Sequence, residues 1–185
     1  MPLLSQQEIR DRALTFAKDW EDESRERAEA QTFWNEFFNI FGMTRRRIAS
    51  FEEPVKKLGN NRGSIDLFWK GTLLVEHKSR GEDLKKAYGQ ALDYFIGIQE
   101  QDLPHYVLVS DFENFRFYDL ETGEEHDFTL AELPKKIHLF GFISGYQKRT
   151  YHDEDPVNIK VAEKMGQLHD ELRASGYQGH ELERF

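Results

Sequence analysis

One short stretch, 63-GSIDLFWKGTLLVEHKSRG-81, holds three side chains whose types and spacing suit metal-assisted chemistry: Asp66, Glu76 and Lys78. Each interrupts a run that is otherwise apolar, and an uncompensated charge in a buried strand is costly. Gly71 after Lys70 supplies a permissive turn, so 64–69 and 72–78 read as two adjacent antiparallel strands. A turn centred there pairs positions whose numbers sum to about 141 or 142, which sets Asp66 opposite the 75–76 region. Alternation then puts Glu76 and Lys78 on one face of their strand and His77 on the other. Two close carboxylates repel, and a divalent cation removes that penalty. Mg²⁺ takes one or two protein carboxylates and completes its shell with water and phosphate oxygens.

The chemistry such a pair supports is phosphodiester hydrolysis. A metal on Asp66 and Glu76 would hold a phosphate oxygen and activate a water, and the His77 backbone carbonyl is a further candidate ligand. Lys78 would orient or deprotonate that water, or stabilise the transition state. The bland alternative is an ion pair at the strand ends. The acid-x-Lys triplet also occurs as "DLK" at 83–85. That copy has no partner acid at hairpin distance and reads as surface.

The elements that must position these groups follow from periodicity. Ile9, Ala13, Phe16, Ala17 and Trp20 mark a helix over 6–20, and Ala30, Phe33, Trp34, Phe37, Phe38 and Phe41 mark a second over 25–41, ended by Gly42. Ile48 and Phe51 predict a strand that Pro54 stops. Leu84, Ala87, Tyr88, Ala91, Leu92, Phe95 and Ile96 predict a helix after Gly81. "HYVLVS" and "FRFYDL" predict two strands joined across "DFEN". The expectation is an α/β sandwich around a central mixed β-sheet flanked by helices. Beyond "YHDEDP", the apolar positions Ile159, Ala162, Met165, Leu168 and Leu172 predict a C-terminal helical extension. The helix begun by "HELERF" stops abruptly, which suggests a piece of a longer polypeptide.

Composition narrows the function classes. A hydrophobic share of 38% with 15 Phe residues fits a globular domain. No run of about 18 apolar residues is present, so no membrane partner is expected. Zero Cys rules out disulfides and Cys-based zinc sites and is compatible with a cytoplasmic protein. The formal charge of -9 means that any grip on nucleic acid needs other domains or a local patch. The densest basic cluster, Arg45-Arg46-Arg47, is most simply a solvated edge or loop. There is no Gly-rich phosphate loop and no adenine-methyltransferase N/D-P-P-Y/F segment. The Phe and Trp residues at helical spacing are core before they are stacking platforms.

Asp66, nine intervening residues and Glu76-His77-Lys78 resemble the signature of the PD-(D/E)XK nucleases, without the Pro of its first motif. Gln90 to Tyr94, "QALDY", is similar to the Q-x-x-x-Y motif of the RecB-like branch. "FFNIFG", "LLVEHKSRG", "DLPHYVLVSDF" and "DPVNIKVAEKMGQLHDEL" resemble the N-terminal part of MmeI-like fused restriction-modification enzymes over nearly the whole chain. The resemblance implies a nuclease fold over 1–154 and, from about 155 to 185, the start of a helical connector toward an absent N6-adenine methyltransferase. It also implies Mg²⁺, with Mn²⁺ able to substitute, double-stranded DNA as partner, and dimerisation on DNA. S-adenosylmethionine would belong only to the absent methyltransferase. The resemblance further implies a supporting helix Glu and a role for Gln90. Of Glu26, Glu29 and Glu36, Glu26 falls within about 20° of Phe33 and Phe37 at about 100° per residue and is preferred. Two rival expectations are a catalytically dormant nuclease-fold binding module and a helical interaction module over 156–185.

Overall fold

The computed structural model describes residues 4–22, 26–56 and 62–145, without the side chains of 26–28 and 62. The expected extension over 155–185 lies outside the described residues. Helices α1 (Gln6–Asp19) and α2 (Glu26–Ile40) precede strands β1 (Ser50–Lys56), β2 (Arg62–Trp69) and β3 (Leu73–His77). Helix α3 (Leu84–Asp93) leads to β4 (Tyr106–Ser110), β5 (Asn114–Asp119) and β6 (Glu125–Thr129), and the short helices α4 (Leu133–Lys136) and α5 (Gly141–Ser144) follow.

The six strands form one sheet in sequence order. All neighbours are antiparallel except β3 and β4, which are parallel and joined through α3. A parallel pair needs such a crossover, and a helix with an apolar stripe supplies it while covering the sheet. The sheet is therefore mixed, as its sequence predicts.

Each face of the sheet has its own core. Leu67, Leu73, Val75, Leu108, Phe115 and Phe117 point to α1, α2 and the C-terminal turns, where Phe16, Phe33, Trp34, Phe37 and Phe140 fill the layer. Phe68, Leu74, Val107, Val109 and Tyr118 point the other way, against Leu84, Ala87, Ala91, Leu92 and Tyr94 of α3. Alternation along β3 and β4 produces this split. A Ser5–Glu8 capping box starts α1, and the Asp83 side chain caps α3 by accepting from Lys85 and Lys86 N–H.

Two expectations are corrected, and one strand had none. Pro54 does not stop its strand: β1 runs through it, with Pro54 opposite Ser64. β1 is an edge of the sheet, where a missing N–H need not face a partner. Helix α3 ends at Asp93, and a 3₁₀ turn over Phe95–Gly97 swings Ile96 out to solvent. That turn seats the backbone of β1, since a Cβ on Gly97 would overlap the Lys56 carbonyl. β6 carries no apolar run to announce it. Of "EHDFT" only Phe128 is buried, as suits the opposite edge strand.

Candidate active site

The β2–β3 register is Leu67↔Val75, Phe68↔Leu74 and Trp69↔Leu73, a sum of 142. One step further along the same register sets Asp66 opposite Glu76. Asp66 Oδ2 accepts the His77 backbone N–H at 2.7 Å, closing the ladder where β3 ends. Glu76 is 2% exposed, and its Oε1 lies 2.7 Å from Lys78 Nζ. Lys78 Nζ also donates to Gln90 Oε1 at 3.1 Å, and Gln90 Nε2 reaches Tyr94 Oη at 3.1 Å. Gln90 and Tyr94 lie one turn apart on α3, so one helix face delivers both. The sheet and α3 thus bring Asp66, Glu76, Lys78 and Gln90 together.

Tyr94 belongs to this group as well. It is buried, and burial first, then the Glu76 carboxylate, push its phenol above its ordinary range; Asp66 adds to the shift and Gln90 opposes it. Asp66 and Glu76 therefore act on one group from the α3 side of the sheet. The sequence gives Tyr94 no distinct role, because a Gln and a Tyr four apart only share a helix face.

His77 takes the other face. Its ring meets Phe33 at 5.6 Å, Trp34 at 5.7 Å and Phe112 at 4.3 Å between centroids. It is 1% exposed, and neither ring nitrogen has a hydrogen-bond partner among the described residues. Burial pulls its pKa down to about 3, against the Asp111 carboxylate that raises it, with the Lys78 ammonium lowering it further. Alternation in a strand covered on both faces buries this ring completely, whereas His105, His126 and His138 are exposed or half-buried.

Glu26 opens α2, but its side chain lies outside the described residues. Glu36, the bland candidate, accepts from Trp20 Nε1 at 2.8 Å. Arg45 also has structural work, donating to Asn35 Oδ1 and the Ala49 carbonyl and stacking over the Phe51 ring at 4.0 Å. On β1, the pairs Phe51↔Leu67 and Glu53↔Ile65 set Glu52 opposite Asp66, with a left-handed φ of 51°. The Glu52 carboxylate accepts from Ser64 Oγ at 3.1 Å.

Two further residues escape sequence reasoning. Asp111 is 1% exposed, and Phe112 next to it holds φ 72° with a fully buried ring. A bulky residue in that region stores roughly 1–3 kcal/mol of strain, so packing must hold it there. In the sequence, Asp111 is indistinguishable from an ordinary turn Asp.

The available ligands are carboxylate and carbonyl oxygens, the donors that a hard divalent cation takes. Among the described residues no three His, Cys, Asp or Glu side chains converge on one point. Asp66 and Glu76 suit an ion that takes two protein carboxylates and fills its shell from solvent or substrate.

Fold and site together define an α/β domain with one mixed sheet and an acid pair, a lysine and a glutamine gathered under its crossover helix. The chain belongs to the family described as MmeI, N-terminal domain, whose model matches residues 11–175. It is 27% identical over 152 residues to DNA methyltransferase A of Bacillus subtilis (strain 168), covering 80% of this chain and 16% of that protein. Among solved structures, the cryoEM structure of a DrdV-DNA complex aligns with a TM-score of 0.49 and 14% identity, over 91% of this chain and 16% of that one. The chain thus spans about a sixth of the length of these relatives. No helix among the described residues is long and apolar enough to cross a membrane.

Proposed function

We propose that this chain is the DNA-cleaving domain of a longer restriction-modification polypeptide, with a PD-(D/E)XK nuclease fold and a Mg²⁺-dependent site. The observation that carries the reading is the gathering of Asp66 with the linked Glu76, Lys78 and Gln90 where β3 ends beside the middle of β2. Membership of the MmeI N-terminal domain family supports it.

Asp66 and Glu76 would hold the ion, with the His77 carbonyl as a third oxygen. When bound, Mg²⁺ supplies Lewis acidity toward the phosphate and lowers the pKa of a water. In the hydrolysis a water oxygen bonds to phosphorus, one bridging P–O bond breaks, and the departing oxygen takes a proton. Lys78 has three N–H donors, and Glu76 and Gln90 take two of them. The third is available to the phosphate oxygens, where charge accumulates in the transition state. Gln90 fixes the lysine through its carbonyl and is itself fixed by Tyr94 through its amide. Tyr94, kept neutral by burial and the adjoining carboxylates, orients this relay without adding charge.

The partner is double-stranded DNA. With a formal charge of -9, the domain depends on other parts of the polypeptide for its grip, and cutting both strands calls for a second copy on the DNA. Methylation, with S-adenosylmethionine, would reside in those other parts.

The test is DNA cleavage by the full-length polypeptide. Asp66→Ala and Lys78→Ala are each expected to lower cleavage by about 10³-fold or more, the scale of losing a principal electrostatic group. Retained cleavage in either variant would overturn the reading. Absence of Glu76-dependent Mn²⁺ binding would favour a dormant nuclease-fold module instead.

A further inference from the structure

The segment that leaves β3 carries Lys78, and it must deliver the chain to α3, which carries Gln90. Its own sequence, Ser79-Arg80-Gly81-Glu82, has nothing apolar to anchor it. Arg80 donates to the Glu21 carbonyl at 2.7 Å, and further anchors come from the corner between β4 and β5. The Ser110 carbonyl accepts the Lys78 N–H at 2.8 Å, and Asp111 Oδ2 accepts the Gly81 N–H at 2.9 Å. The Phe112 ring stands edge-on against His77, and Glu113 pairs with Arg80 at 3.2 Å.

Asp111 is the centre of that corner. Its Oδ1 accepts the Asn114 N–H at 2.7 Å, and the Asn114 side-chain amide lies 3.3 Å from both carboxylate oxygens. An ordinary Asx turn needs only the first of these bonds and sits at the surface. Here the carboxylate is buried, and among the described residues its hydrogen bonds come from Gly81 and Asn114 rather than from a Lys or Arg. Its second oxygen reaches across 30 residues of sequence to Gly81. Burying a carboxylate is costly and needs compensating donors. Those donors tie the exit of β3 to the corner.

We propose that Asp111 is a positioning residue for Lys78. It acts through the Gly81 N–H to fix the segment between Lys78 and α3, so that the ammonium meets Glu76 and Gln90 together. This rests on the nuclease reading above. It assigns Asp111 no contact with metal or DNA.

The experiment uses the full-length polypeptide and three measurements: single-turnover DNA cleavage, Mn²⁺ binding and thermal unfolding. Asp111→Asn replaces one acceptor oxygen by a donor amide at nearly constant shape. Expected is a loss of about 10²-fold in cleavage rate, the scale of a misplacement near 1 Å, with Mn²⁺ affinity within about threefold of the parent. Leu133→Ala, in fully buried α4 packing, serves as the stability control. It is expected to lower Tm at least as much and yet keep the cleavage rate within about twofold at a temperature below both transitions. Parental cleavage by Asp111→Asn, or equal rate losses in the two variants, would overturn the assignment. Should Asp111→Asn fail to fold, Asn114→Ala decides: a rate loss of about tenfold supports the assignment and a parental rate overturns it. A parent that does not cleave overturns the nuclease reading itself; a cleaving parent with an equally active Asp111→Asn overturns the Asp111 assignment alone.

Discussion

The two faces of the sheet solve opposite problems with the same strand. On the α1–α2 face, Leu73, Val75 and His77 enter a layer of Phe and Trp rings, and the one polar group among them is held neutral. On the α3 face, Leu74 leads to Glu76, whose charge is answered by Lys78, with Gln90 and Tyr94 behind it. The first face expels charge, and the second collects it with partners. The charged residues of "VEHK" are therefore not tolerated generally. They are tolerated on the face where a helix supplies polar side chains to meet them.

Three variants sharpen or break this contrast, taken in order of expected effect on stability. Phe33→Ala strikes the aromatic layer, where the ring touches Phe16, Trp20, Trp34, His77, Phe112 and Phe115. The expected loss is about 3–5 kcal/mol by denaturant unfolding, since the site cannot collapse to fill the space. A loss below about 1 kcal/mol would mean that this face is loosely packed.

His77 makes the same face sensitive to acid. Its folded pKa lies below its unfolded one, so as pH falls the unfolded chain takes up the proton first. The stability present above about pH 6.5 is therefore lost as pH drops toward 3. At pH 5, in chelator, this amounts to about 2 kcal/mol relative to pH 7.5. His77→Leu should remove that part of the pH dependence while changing stability at pH 7.5 by no more than about 1 kcal/mol, because the ring nitrogens it deletes have no described partners. An unchanged acid slope in the variant would place the sensitivity elsewhere.

Glu76→Gln, on the charged face, is expected to alter stability least, by less than about 1 kcal/mol. The ion pair it breaks is offset by the desolvation it relieves, and Lys78 keeps Gln90 as an acceptor. The same variant should abolish Mn²⁺ binding in a titration. A large loss of stability with retained binding would reverse the assignment of roles between the faces.

How far the sequence could be read follows from the strength of each local signal. The Lys70-Gly71 turn fixed the β2–β3 pairing, and with it the proximity of Asp66 to Glu76, because register and alternation leave no freedom once the turn is placed. Helices α1 and α2 announce themselves through Phe and Trp at helical spacing. β6 does not, since an edge strand needs only one buried residue in five. Pro54 was misleading because its cost depends on whether a neighbour strand lies beyond, which only the assembled sheet decides. Ile96 followed the apolar stripe of α3, but the chain turns before reaching it. Tyr94 was legible as part of the "QALDY" motif, but its coupling to Glu76, 18 residues away, was not, and neither was Asp111, whose partner Gly81 lies 30 residues away.

The single parallel pair in the sheet has a kinetic meaning. β1 to β3 and β4 to β6 are each built from strands adjacent in the chain, so either half can form through short loops. Only the β3–β4 pairing, with α3 as its bridge, closes a long loop and joins them. The bonds that hold Lys78 and Gly81 cross this junction. The bonds that fix the exit of β3 therefore form only when the two halves join, although Asp66, Glu76 and Lys78 all belong to the first half.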